Sequence, residues 1–132
     1  MGTKVKVAVL GTGSLGKEHV RLCAELAATG QIELAGIYDA SADTARKIAA
    51  KHGAHVFGSL EEAAAAADAC NIATPTTTHY AIAKSLLARG KHVLVEKPMT
   101  DDAAQAADLV ELAQRNNCVL QVGHVERFNP VF

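Results

Sequence analysis

Apolar residues gather in six short runs, and longer stretches with helical spacing separate them. The runs are Val5–Leu10, Ile32–Tyr38, Ala54–Phe57, Cys70–Ala73, His92–Val95 and Val119–Val122. The stretches Ser14–Thr29, Ser41–Lys51, Ser59–Ala66, Thr76–Arg89 and Thr100–Asn116 read as helices. Strands alternating with helices predict an α/β fold whose parallel sheet is covered on both faces. Right-handed crossovers wind such a sheet doubly. The expected arrangement has about six strands in the order 3-2-1-4-5-6, with a ligand crevice at their carboxyl ends. Alanine favours the helices and lets them approach the sheet closely, so the run Ala63–Ala67 fits a helix. Gly30, Gly53 and Gly90 stand where helices should end.

The first run leads straight into Gly11-Thr12-Gly13-Ser14-Leu15-Gly16, a G-x-G-x-x-G turn that opens a helix. In that setting each glycine has a task. Gly11 makes the tight turn, Gly13 lets the backbone approach a pyrophosphate, and Gly16 lets the helix pack close to the strand. The helix N-terminus then offers N–H groups to the anion. A strand, glycine turn and helix in this order are expected at the start of a Rossmann fold. Asp39 closes the second run, 23 positions after Gly16. A ribose-binding carboxylate is needed roughly 20 residues on. Asp39 can accept hydrogen bonds from the adenosine ribose and would repel the extra phosphate of NADP. No Lys or Arg lies between Asp39 and Thr44, and Arg46 is already on the next helix. The expected cofactor is therefore NAD rather than NADP. A competing reading is that Asp39 only turns the chain into the helix starting near Ser41.

Composition narrows the field. The chain has 132 residues, the size of one domain, and 49% of them are apolar, enough for a core. Thirteen basic and 14 acidic residues are well mixed, and the net charge is −1. With no basic stripe and only 4% aromatic residues, nucleic acid is not an expected partner. No apolar run approaches a membrane span, and Val5–Leu10 is too short for a signal peptide. Cys23, Cys70 and Cys118 are widely spaced. They read as buried thiols in a reducing, cytoplasmic setting, not as a metal site or a disulfide framework.

Reactive chemistry is expected further along, in Glu96-Lys97-Pro98 after the fifth run. The residue before a proline is held out of the helical region, which fixes where the Lys97 ammonium points. A lysine there can stabilise a developing alkoxide as hydride leaves. Glu96 could orient a nicotinamide ribose or hold Lys97. Equally, the pair could be an exposed salt bridge at a strand end, with Pro98 stopping the strand.

Together, Gly11–His19 (G-T-G-S-L-G-K-E-H), Asp39, Ala73–His79 (A-T-P-T-T-T-H) and Glu96–Pro98 (E-K-P) resemble one family. It is the glucose–fructose oxidoreductase / inositol dehydrogenase / MocA family of nicotinamide-dependent oxidoreductases. Gly123–Pro130 is also similar to a subgroup acting on nucleotide-linked amino sugars, of the UDP-N-acetylglucosamine 3-dehydrogenase type. The resemblance implies that Gly11, Thr12, Gly13, Ser14, Leu15 and Gly16 carry the pyrophosphate and Asp39 the adenosine ribose. It implies that Thr74 and Pro75 lie along the cofactor, with His79 near the same groove. It places Glu96 at the nicotinamide ribose and Lys97 as the catalytic lysine, with a cis Lys97–Pro98 bond. It further implies a sugar, polyol or sugar-nucleotide substrate and a homo-oligomeric full-length enzyme.

The family also carries a second, mostly antiparallel domain that builds most of the substrate pocket. Residues 1–123 read as the nucleotide-binding domain, and residues 124–132 as the start of a linker towards a substrate domain that this chain does not carry. Such a chain would bind NAD and turn over little on its own. A stand-alone NAD-binding regulatory module is the alternative, and a Rossmann-like domain for a flavin or S-adenosylmethionine is a third. Retention of Glu96-Lys97-Pro98 favours the first. Of the other histidines, His19 is expected to pack or hydrogen-bond beside the glycine turn, and His52 and His55 to be solvated. His92 should begin its strand away from the crevice. His124, Arg127 and Asn129 could approach cofactor or substrate.

Overall fold

The computed structural model describes residues 4–123. His124, Arg127, Asn129 and the expected linker lie outside them. Among the described residues, five parallel strands form one sheet: β1 (Val5–Leu10), β2 (Ile32–Tyr38), β3 (Ala69–Ile72), β4 (His92–Glu96) and β5 (Leu120–Gly123). Their order is β2-β1-β3-β4-β5. The helices are α1 (Ser14–Ala28), α2 (Ala42–His52), α3 (Leu60–Ala66), α4 (His79–Ala88) and α5 (Ala103–Arg115). The doubly wound α/β fold expected from the apolar pattern is the fold observed.

One expected strand is nearly absent. Ala54–Phe57 contributes a single parallel bridge, Ile37 to Val56, on the outer side of β2. The expected strand order is thus kept, with its outermost member reduced to one rung. Between Gly53, which ends α2, and Ser59, which caps α3, only the neighbourhood of Val56 pairs with β2: the Ile37 N–H donates to the His55 carbonyl and the Phe57 N–H to the Ile37 carbonyl, each at 2.8 Å. The expected helix Thr76–Arg89 also divides. Three consecutive β-branched threonines form a 3-10 turn, Thr76–Thr78, before α4 begins at His79. Elsewhere the boundaries move by one to three residues, because Ser41, Ser59 and Asp102 act as N-caps.

The pleat sends alternate residues of β1 to two cores. Val7 and Val9 pack with Val20 of α1 and Ile48 of α2. Ala8 and Leu10 join the core formed with α3, α4 and α5. Cys23 and Cys70 are buried free thiols, and burial pushes each up to about 11. Cys118 is a half-buried free thiol and is also raised by burial. His52 and His55 are exposed, as expected. The ring of His92 accepts a hydrogen bond from the Val119 N–H at 3.0 Å, at the amino end of β4.

Because all five strands are parallel, the turns after β1, β3 and β4 reach the same carboxyl edge. That edge carries the glycine turn, Thr74-Pro75 and Lys97.

Candidate functional site

The three glycines differ in what the protein itself demands of them. Gly11 has φ +96°, and a Cβ there would lie 2.6 Å from the Ala73 carbonyl oxygen. A Cβ on Gly16 would lie 1.9 Å from the Gly11 carbonyl oxygen. Both are glycine because the turn and α1 are pressed against main chain. Gly13 has φ −72° and ψ −156°, which any residue adopts, and a Cβ there would meet nothing within 4 Å. No contact within the described residues explains its lack of a side chain. The space above it is a cradle that a Cβ would partly fill.

Gly13 is also the N-cap of α1, and it supplies no side-chain cap. The first turn of α1 contains no acidic residue, whereas α2 and α3 carry both a serine cap and acidic first turns. The first helical hydrogen bond runs from Lys17 N–H to the Gly13 carbonyl at 2.8 Å. The positive end of the helix dipole therefore faces the cradle with no acidic side chain in its own first turn. Leu15 is exposed on this first turn, and Ser14 begins it.

Asp39 ties the turn to the end of β2. Its Oδ2 accepts from the Thr12 N–H at 2.7 Å and from the Thr12 hydroxyl at 2.8 Å. Its Oδ1 accepts from the Ser41 N–H at 2.8 Å. Partial burial pushes the carboxyl up, but the hydrogen bonds from Ser41 and Thr12 outweigh it and hold the group below the usual range. Asp39 is therefore a carboxylate that shapes the turn, and the chain-turning reading of Asp39 is part of its geometry. Thr12, expected among the pyrophosphate-carrying residues of the turn, directs its buried side chain and its N–H to Asp39. Arg46, the first cation along α2, is paired with Asp43.

The other side of the crevice is built from β3 and β4. Glu96, at the end of β4, is buried at 3% exposure, and its Oε1 lies 2.5 Å from Nε2 of His19. Asn71 of β3 donates to Nδ1 of the same ring at 3.2 Å. His19 thus hydrogen-bonds as expected, and its partner is the expected site residue Glu96. Lys97 follows and is exposed, and the Lys97–Pro98 peptide is cis, as the resemblance implied. Thr74 is half-buried and Pro75 exposed in the turn after β3. His79 is 1% exposed and lies beneath these turns. Its Nε2 is 2.8 Å from the Thr74 carbonyl, and its Nδ1 is 3.0 Å from the Pro98 carbonyl. Its link to the crevice runs through the turns it ties.

Asn71 and the side chain of Thr12 were missed as site residues. Asn71 left a signal, a lone amide in the otherwise apolar Cys70-Asn71-Ile72. Thr12 left none, since x positions of a glycine turn carry no pattern of their own.

A glycine cradle at the open start of a helix, on the carboxyl edge of such a sheet, places the chain among dinucleotide-binding α/β proteins. Comparison with known proteins narrows that class. Residues 5–124 match the oxidoreductase family with an NAD-binding Rossmann fold (GFO_IDH_MocA), and the chain belongs to that family. It is 36% identical over 126 residues to UDP-N-acetylglucosamine 3-dehydrogenase of Acidithiobacillus ferrooxidans, covering 96% of this chain and 39% of that protein. A solved structure of that enzyme superposes with a TM-score of 0.87, over 98% of this chain and 41% of that one. Scyllo-inositol 2-dehydrogenase (NADP(+)) of Bacillus subtilis is 32% identical over 97% of this chain and 39% of its own length. GenD2 from gentamicin A biosynthesis, solved in complex with NAD, is 34% identical, with a TM-score of 0.83 over 93% of this chain and 35% of its own. The chain spans about two fifths of the length of these relatives.

Among the described residues, no helix is long and apolar enough to cross a membrane. Nor does any group of three His, Cys, Asp or Glu side chains among them stand ready to hold a metal ion.

Proposed function

We propose that this chain is the cofactor-binding part of a dehydrogenase that moves a hydride between NAD and a hydroxyl-bearing carbon of a sugar, polyol or sugar nucleotide. The observation that carries the reading is Gly13, a glycine with open space above it at the uncapped start of α1. The Gly13–Gly16 backbone would hold the pyrophosphate. Thr12 acts by fixing Asp39, whose carboxylate would take the adenosine ribose. The negative Asp39, with Arg46 engaged by Asp43, favours NAD over NADP. Thr74 and Pro75 would border the nicotinamide half, and Glu96 supports the same end from beneath.

When bound, the nicotinamide ring supplies or accepts the hydride. In the oxidation direction the amine of Lys97 would take the substrate hydroxyl proton while the hydride leaves the same carbon for the nicotinamide, so that a carbonyl forms; in the reverse direction the ammonium would return that proton. The names of the relatives support a sugar-type substrate. The relatives' greater length supports a further domain beyond residues 1–123, with 124–132 leading to it. Val119, Val122 and Leu26 are large apolar side chains left exposed, which suits cover by that further chain or by a second subunit. Three free thiols suit a reducing compartment such as the cytoplasm.

The test is titration of the chain with NADH and NADPH, before and after Asp39→Ala. We expect NADH to be preferred and the substitution to weaken it and level the preference. No binding of either nucleotide would end the proposal, and an unchanged preference would remove Asp39 from the ribose role.

A further inference from the structure

The residues on either side of Lys97 are each held by a buried histidine from a different helix. Before it, Glu96 Oε1 meets Nε2 of His19 on α1. An amide NH2 can only donate, so the Asn71 contact makes Nδ1 of His19 the acceptor and leaves Nε2 to donate to Glu96. After Lys97, the carbonyls of Pro98 and Met99 lie 3.0 and 3.2 Å from Nδ1 of His79 on α4. The opposite nitrogen of that ring faces the Thr74 carbonyl at 2.8 Å; all three partners are acceptors, so a singly protonated ring donates to one side and only a doubly protonated ring donates to both. Lys97 itself is exposed.

We infer that His19 and His79 are positioning residues that set where Lys97 stands relative to the dinucleotide cradle. The inference rests on the catalytic reading of Lys97 given above. Gly13 is the N-cap of α1, so the His19–Glu96 bond refers the lysine to the helix whose N-terminus forms the cradle. His79 refers the same turn to the segment after β3. Three loops at the carboxyl edge are thereby locked together by two side chains that need not touch a ligand. Lys97 is exposed and, among the described residues, its ammonium is not tied into this framework, so the frame fixes its origin while the side chain stays available. Buried polar contacts alone would give stability. Placing one on each side of a single exposed lysine does more, because it fixes the direction in which that residue leaves the sheet.

The two nitrogens of His79 can be separated experimentally. Asparagine places its amide near the Nδ1 position, and glutamine places its amide near Nε2. His79→Asn therefore keeps the tie to Pro98 and Met99, His79→Gln keeps the tie to Thr74, and His79→Leu loses both. Amide 15N relaxation on this chain reads the result at Lys97, Met99 and Thr100, with Val9 in β1 as an internal reference. In the wild type we expect order parameters of about 0.85, those of a rigid backbone, at these positions. His79→Leu and His79→Gln should drop them below about 0.6 while Val9 stays rigid, and His79→Asn should restore them. His19→Leu should loosen Lys97 in the same way, and His19→Gln should restore it. Order parameters unchanged in His79→Leu, or an equal loss at Val9, would overturn the inference. So would a failure of both amide variants to differ from leucine. Parallel NADH titrations keep the two readings apart: wild-type chain that does not bind NADH defeats the proposed function, whatever the loop does.

Discussion

Gly13→Ala and Gly16→Ala make a matched pair in which one methyl group tests the protein and the other tests the site. At Gly16 the new Cβ would stand 1.9 Å from the Gly11 carbonyl oxygen. Carbon–oxygen contacts settle near 3.3 Å or beyond, so α1 and the turn must part by more than about 1 Å. Both sides of the clash are main chain and cannot rotate away. The cost should be at the top of the range for overpacking, about 3 kcal/mol or more. For a domain of this size that lowers Tm by about 10 °C or more. At Gly13 the folded chain opposes nothing. Alanine is the poorer N-cap by about 0.5–1 kcal/mol, and it recovers about 0.4–1 kcal/mol by restricting the unfolded chain. The two offset, and Tm should hold within about 2 °C. The same methyl group, however, occupies the space in which a pyrophosphate must meet backbone N–H groups. NADH affinity should fall at least about tenfold, or 1.4 kcal/mol. Thermal melts and fluorescence titrations with NADH on the three proteins decide the matter. Gly13→Ala with both wild-type Tm and wild-type NADH affinity would refute the reasoning, because the open cradle would then have no ligand to exclude a side chain.

The remaining predictions concern Asp39, Lys97 and the cysteines. The folded-state pKa of Asp39 is lowered, so its stabilisation is present above the unfolded carboxyl's pKa and is lost as pH falls through the folded one. Asp39→Ala should cost about 1–2 kcal/mol at neutral pH, discounted for partial exposure. The gap to wild type should close in acid, as urea melts across pH would show; a gap independent of pH would contradict the charged role. Lys97→Ala should leave NADH affinity within about twofold, since its side chain is exposed beside the cradle. It should abolish turnover in the full-length enzyme, and surviving activity there would discard the catalytic assignment. A thiol reagent should label Cys118 first in the native chain, because Cys23 and Cys70 are buried and pushed up to about 11. Peptide mapping that found Cys23 or Cys70 labelled at the same rate would show that the sheet opens more readily than its packing implies.

What could be read from the residues, and what could not, follows from the range of the forces involved. Strands and helices rest on periodicity and on local chemistry, so Val5–Leu10 and Ile32–Tyr38 were legible to the residue. Ala54–Phe57 reads as a strand by its apolar residues, yet it makes only the one bridge to Ile37, a matter of how the chain leaves α2 and enters α3 that no local pattern records. The glycine turn was legible because each glycine answers a geometric need, yet only the coordinates separate Gly13 from its neighbours. A pattern records three glycines, while space shows that two are required by the fold and one is not. Long-range polar pairs were the least legible. His19 and Glu96 are 77 positions apart and His79 and Pro98 are 19 apart, and no spacing rule joins them. Their encounter is a product of the parallel sheet, which delivers the turns after β1, β3 and β4 to one edge. A buried polar group that finds no neighbour in its own element must find one across the fold. A lone Asn71 in an apolar strand and a histidine one turn into α1 are such groups. Buried polar residues are unfilled valences, and the strand ends able to meet them are what link the cradle to Lys97.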